Sequence, residues 1–190
     1  MSSIAHFHLV KYGCTKANHL LDEMFRLRYQ KNVVEGQWSK GITVKDGKEM
    51  DEYDHENAFY LIGTDLYNNV LAAARLISTK YPTVSTDAFY ELFEYIDIPK
   101  SDLIWDCTRL TLRHPSDENT LLTLVAIFEF GLRYSISSYL IFDDMSRIKR
   151  FQDHGLCVYQ LGGTKLVDNR FEIFVGLLPV MPEIIEVLLR

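Results

Sequence analysis

Basic residues are in deficit: 20 Lys and Arg stand against 26 Asp and Glu, for a net charge of −6. That balance excludes wholesale nucleic-acid binding, which needs a basic footprint. Cysteine is scarce. Cys14, Cys107 and Cys157 form no CxxC pair, and their number is odd. Reduced thiols in a cytoplasmic protein fit this better than a disulfide framework. The six histidines make no spaced metal cluster, and the closest pair, His6 and His8, reads as strand decoration, so no metal is expected. The N-terminal MSSIAHFHLVKYG lacks a basic region followed by an apolar core, so no signal peptide is expected. The most apolar run, residues 121–142, contains Glu129 and Arg133, and reads as a buried helix and strand rather than a membrane span. A glycine-rich phosphate loop is lacking too. The nearest stretch, GLCVYQLGGTK, does not match the Q/R-x-x-G-x-G/A pattern of a pyrophosphate site. No repeat, low-complexity segment or linker is visible, so one domain over 1–190 is expected, with enough length for a core.

What is present is a succession of short periodic segments. Residues 17–34 carry Leu20, Leu21, Met24, Phe25 and Leu27 near helical spacing. A polar loop follows to residue 54. AFYLIGT and VLAAARLIST flank DLYNN and read as a hairpin. Residues 86–95 suggest a short helix, 103–113 a strand, and about 119–137 a long helix. Then come strand YLIFD, helix MSRIKRFQDHG ended by Gly155, strands CVYQLG and NRFEIFVGLLPV, and a closing helix from Pro182. This order predicts an α/β (α+β) three-layer sandwich, with helices flanking a mixed sheet.

Three features do not fit plain packing. EMDEYD places Glu49, Asp51, Glu52 and Asp54 within six positions, where like charges repel. Arg75 and Arg109 lie inside apolar strands, and an unpaired buried charge is costly. One reading makes the two arginines structural partners of Asp51, Asp54 or Asp106. The other makes the acidic run a holder of something cationic.

These residues, in order, resemble the acyl-homoserine-lactone synthase family. The family's helix arginine falls on Arg28, its loop tryptophan on Trp38, and its E-x-D-x-x-D motif on Glu49, Asp51 and Asp54. Its RL strand falls on AAARL with Arg75, followed by Thr79 and Pro82, and its downstream phenylalanine on Phe89. Its W-E-x-S-R motif appears as Trp105, Asp106, Cys107, Thr108 and Arg109. The resemblance spans about residues 20–112. It departs at Asn32, where the family has phenylalanine, and at Asp106, where it has glutamate.

The resemblance implies a mostly antiparallel, GNAT-like fold. It also implies an acyltransferase that uses S-adenosylmethionine as a substrate, without a cofactor, and takes its acyl group from acyl carrier protein, or in some members coenzyme A. Arg28, Trp38, Asp51, Asp54, Arg75 and Phe89 would then form the S-adenosylmethionine site and its ion-pair network. Asp106 and Arg109 would be catalytic, Asp106 taking the amine's proton; the competing reading is a simple Asp106–Arg109 ion pair. Three residues apart, the two would face opposite sides of a regular strand, so a bulge near Cys107 is expected. An apolar acyl pocket is expected from Trp105, Leu122, Val125, Phe128, Tyr139 and Ile141, each of which also suits plain core packing. Arg147, Lys149 and Arg150 offer a basic helix face to an acidic carrier protein, or simply a solvated one. The expected protein is a cytoplasmic monomer without membrane insertion. Two rivals remain: a GNAT-type N-acyltransferase using acyl-coenzyme A and another amine, and an inactive relative that only binds these ligands.

Overall fold

The computed structural model describes residues 3–36, 41–153, 155–167 and 169–189. The chain packs as two compact units, one made of residues 1–76 and 109–126, the other of 77–108 and 127–190.

In the first unit, β1 (His6–Lys11) pairs antiparallel with β4 (Phe59–Thr64), from His6 opposite Thr64 to Lys11 opposite Phe59. β4 pairs antiparallel with β5 (Val70–Ser78), Tyr60 facing Arg75. The hairpin read at DLYNN is present. The Asp65 carboxylate accepts the amides of Tyr67 and Asn69, and Asn68 takes the left-handed conformation that asparagine tolerates. The strand order is β1-β4-β5-β6, where β6 is Ile104–Leu112. α1 (Asn18–Arg28) buries Leu20, Leu21, Met24, Phe25 and Leu27, the stripe read from the sequence, and also Arg28. The predicted helix over 17–34 loosens after Arg28 into a wider π-type turn, Tyr29–Glu35. The polar loop after it is not structureless. β2 (Thr43–Lys45) and β3 (Lys48–Met50) form a hairpin whose turn, Asp46-Gly47, has positive φ at both positions. That backbone twist matches paired strands, and Asp-Gly is the pair that adopts it most readily.

In the second unit, the first half of β6 runs parallel to β7 (Ser138–Asp144), Asp106 opposite Leu140 and Cys107 opposite Ile141. β7 is antiparallel to β10 (Phe171–Pro179), which also pairs with β8 (Tyr159–Gln160) and β9 (Lys165–Val167). The mixed, mostly antiparallel sheet expected from the sequence is thus present, and helices accompany it. α2 (Asp117–Arg133) starts and stops earlier than predicted; its residues from Ile127 on belong to this unit. α3 (Met145–Asp153) and α4 (Pro182–Leu188) follow the sequence reading, with Gly155 at φ +83 after α3 and Pro182 opening α4.

Two expectations change here. The helix over 86–95 is instead a π-type turn, Val84–Ala88, and a 3-10 turn, Tyr90–Leu92. Phe89 separates them with non-helical backbone, and its ring stacks on Phe142 at 4.2 Å between centroids. The strand read in CVYQLG shrinks to two residues because the Leu161 carbonyl accepts the amides of Glu94 and Tyr95. Gly162 permits that contact, since a Cβ there would lie 2.0 Å from the Leu92 carbonyl oxygen. Among the described residues, no helix is long and apolar enough to cross a membrane.

Candidate active site

The first unit contains a closed cluster of three guanidinium groups and three carboxylates. α1 ends on Arg28, β3 carries Glu49, the loop after it carries Asp51 and Asp54, β5 carries Arg75, and the second half of β6 carries Arg109. Arg28 donates from Nε and Nη2 to Glu49 at 2.8 and 2.9 Å, and from Nη1 and Nη2 to Asp54 at 2.8 and 3.0 Å. This forked geometry is what arginine offers and lysine does not. Arg75 donates from Nη1 to Asp51, and to Asp54 at 3.1 Å. Arg109 donates from Nε to Glu49 at 3.2 Å and from Nη2 to Asp51 at 2.7 Å. Arg109 keeps 11% of its side chain exposed, whereas the other five keep 1% or less. Buried charges at this depth are tolerable only when paired and hydrogen-bonded, and each of these is.

Electrostatics follow the geometry. Burial by itself would raise the Glu49 carboxyl, but hydrogen bonds and charge from Arg28, then the Arg109 charge, bring it down from 4.5 to about 2. Burial opposes ionisation of Asp54 as well, and the charges of Arg28 and Arg75 overcome it, leaving its pKa well below the usual carboxylate range. The Arg109 pKa is lowered as well, chiefly by burial; the charges of Glu49 and Asp51 act to raise it, and those of Arg75 and Arg28 to lower it.

Local backbone explains how the cluster closes. Arg109 sits at φ +56, a left-handed conformation that is uncommon for a non-glycine residue. Against β7 the pairing of β6 is regular from Ile104 through Cys107, and the unusual backbone is at Arg109. It accompanies a guanidinium bonded to Glu49 and Asp51. In the second unit, Asp106 is buried at 1% exposure and accepts the Ser85 hydroxyl at 2.8 Å and the Ser85 amide at 3.2 Å.

The cluster thus gathers Arg28, Asp51, Asp54, Arg75 and Arg109 from the predicted set, together with Glu49 of the motif. Phe89 belongs to the second unit, stacked on Phe142 with the Lys165 ammonium 6.0 Å from its ring. Trp38 lies outside the described residues. Of the apolar set, Leu122 packs on Ile4, Leu71 and Ala72 in the first unit. Val125, also in the first unit, is half-buried. Phe128 and Tyr139 are fully buried and meet edge to face at 6.3 Å, with the Tyr139 hydroxyl donating to the Ile127 carbonyl. Ile141 is buried opposite Cys107, and Trp105 is half-buried against Phe130 at 5.6 Å. Lys149 is exposed on α3; the side chains of its neighbours Arg147 and Arg150 lie outside what the structure describes.

Three participants were not foreseen. The Tyr60 hydroxyl donates to Asp54 at 2.8 Å, and the Asn32 amide donates to Glu49 at 3.1 Å from the π-type turn. Ser85 completes the set. A tyrosine in an apolar strand or a serine in a polar turn carries no signal of its own, while Asn32 was visible only as a departure.

Residues 13–152 match the family model described as autoinducer synthase. The chain belongs to the autoinducer synthase family. This autoinducer synthase is 31% identical over 152 residues to the isovaleryl-homoserine lactone synthase of Bradyrhizobium diazoefficiens, a match covering 79% of this chain and 68% of that one. It is 39% identical over 83 residues to the acyl-homoserine-lactone synthase of Pectobacterium parmentieri, but that match spans 44% of this chain and 37% of the relative. The solved structure of BjaI, a CoA-dependent acyl-homoserine lactone synthase with SAM and isopentyl-CoA, superposes with a TM-score of 0.87 at 26% identity, over 96% of this chain and 86% of that one. The GNAT-like fold expected from the sequence holds, and the chain is an acyltransferase of the acyl-homoserine-lactone synthase type.

Proposed function

We propose that this autoinducer synthase makes N-acyl-homoserine lactones for quorum sensing from S-adenosylmethionine and an acyl thioester, as a cytoplasmic monomer without a cofactor. The observation that carries the reading is this cluster, which gathers the motif residues in the first unit with Arg109 the most exposed side chain of the six. The amine of S-adenosylmethionine must lose a proton to attack, and Asp106 is the residue assigned to take it. The new C–N bond forms as the thioester C–S bond breaks and the thiolate leaves. The carboxylate of the acylated product then attacks its own γ-carbon. The C–S bond to the sulfonium breaks, and methylthioadenosine departs as a neutral thioether while the lactone closes.

In this reading Asp51 and Asp54 do not meet the sulfonium directly, since arginines already hold them. The cluster is instead a rigid frame. The bonds of Arg109 to Glu49 and Asp51 use Nε and Nη2, so Nη1 is the donor assigned to the cosubstrate's carboxylate.

Similarity to a CoA-dependent synthase supports acyl-coenzyme A as the donor. The exposed Lys149 supports a second reading, acyl carrier protein. Incubation with S-adenosylmethionine and matched acyl donors, read by mass spectrometry, tests both. Equal amounts of lactone and methylthioadenosine are expected, with higher kcat/KM on acyl-coenzyme A. A reversed ratio assigns the carrier protein. An acylated amine without methylthioadenosine overturns the reading in favour of an ordinary N-acyltransferase.

A further inference from the structure

We infer that Ser85 is a positioning residue for the reaction, fixing the Asp106 carboxylate in the orientation in which it takes the amine's proton. This rests on the assignment of Asp106 above and extends it to a residue outside the motifs.

The two residues are buried together, Ser85 at 0% and Asp106 at 1% exposure. Ser85 grips both oxygens. Its hydroxyl donates to Oδ1 at 2.8 Å, and its backbone amide donates to Oδ2 at 3.2 Å. An aspartate rotates broadly about its last torsion. One contact would leave that rotation open, whereas two contacts on two oxygens close it.

The grip is itself anchored. Ser85 lies in the Val84–Ala88 turn, which opens with reciprocal bonds between Thr83 and Thr86, each hydroxyl accepting the other's amide at 3.3 Å. The Asp87 amide adds a bond to the Thr83 carbonyl at 3.0 Å. The turn therefore holds Ser85 as a fixed donor pair facing β6. Positioning of this kind acts on turnover: small misplacements of a catalytic group cost rate without weakening substrate binding.

The test compares Ser85→Ala and Ser85→Thr with the parent in lactone formation from S-adenosylmethionine and acyl-coenzyme A, beside a thermal melt of each. Ser85→Ala removes the hydroxyl and keeps the amide. Its kcat should fall by about 10- to 100-fold with KM for both substrates held within about twofold, and Ser85→Thr should recover most of the loss. A Ser85→Ala enzyme that melts early but keeps its kcat overturns the inference, and so does a loss shared equally between kcat and KM. Should Ser85→Ala fail to fold, Ser85→Cys keeps the volume with a weak donor. It should show the kcat loss, and a parent-like kcat there would sink the idea. A parent that makes no lactone removes the proposed function, and the role of Ser85 with it. An active parent with unaffected Ser85 variants removes only the role of Ser85.

Discussion

Arg28 has no exposed side-chain surface, so each of its partners matters. Asp54 takes bonds from Arg28, Arg75, Tyr60 and the Asp51 amide. Asp54→Asn should remove a charge from two buried guanidiniums at once, and a cost of about 3–5 kcal/mol is expected. That is a large share of the stability of a typical domain, so a fall in urea midpoint with lost activity is the outcome to look for. Arg109→Lys should behave differently, keeping the charge at the partly exposed position but losing the fork. It should cost less stability and more activity than Asp54→Asn, as paired melts and lactone assays would show. Glu49 adds a dependence on acid. Its folded value of about 2 lies below the ordinary 4.5, so its stabilisation is present above pH 4.5 and is lost as pH falls from there through 2. At 1.36 kcal/mol per pH unit that is about 3 kcal/mol. Urea midpoints between pH 7 and 3 should fall steeply for the parent and less for Glu49→Gln. The partner set was legible in the sequence because charges among strand apolars demand partners. Which partner meets which was not. The left-handed backbone at Arg109 leaves no mark in residue type.

Among the elements, α2 meets β7 through a missing side chain. A Cβ at Gly131 would lie 2.8 Å from the Tyr139 hydroxyl and 2.9 Å from Val180. Gly131→Ala must displace one of them, against the gain in helix propensity. Overpacking of this kind costs about 1–3 kcal/mol, and a lowered denaturant midpoint is expected. The helices and long strands were readable because their apolar spacing repeats over many residues. β9 was not, because three residues give no period, and its place depends on pairing with β10. The β2–β3 hairpin could have been found from Asp46-Gly47 alone. The density of charge around it made a solvated loop the more obvious reading.

For the whole molecule, charge decides how partners arrive. If a carrier protein is used at all, Lys149→Glu should lower kcat/KM on it more than on acyl-coenzyme A, and the difference should shrink as salt rises. The buried cluster takes no part in this. Three positive and three negative groups cancel within it, so at a distance it is electrically silent, and the net −6 of the chain is carried by residues elsewhere. What approaching molecules feel is therefore an anionic surface, not the arginines inside. S-adenosylmethionine, with two cationic groups and one carboxylate, is drawn toward such a surface, while a coenzyme A thioester or an acidic carrier protein is held off. The two substrates thus approach under opposing forces. Added salt should slow the capture of one and ease the capture of the other, leaving the chemistry inside untouched.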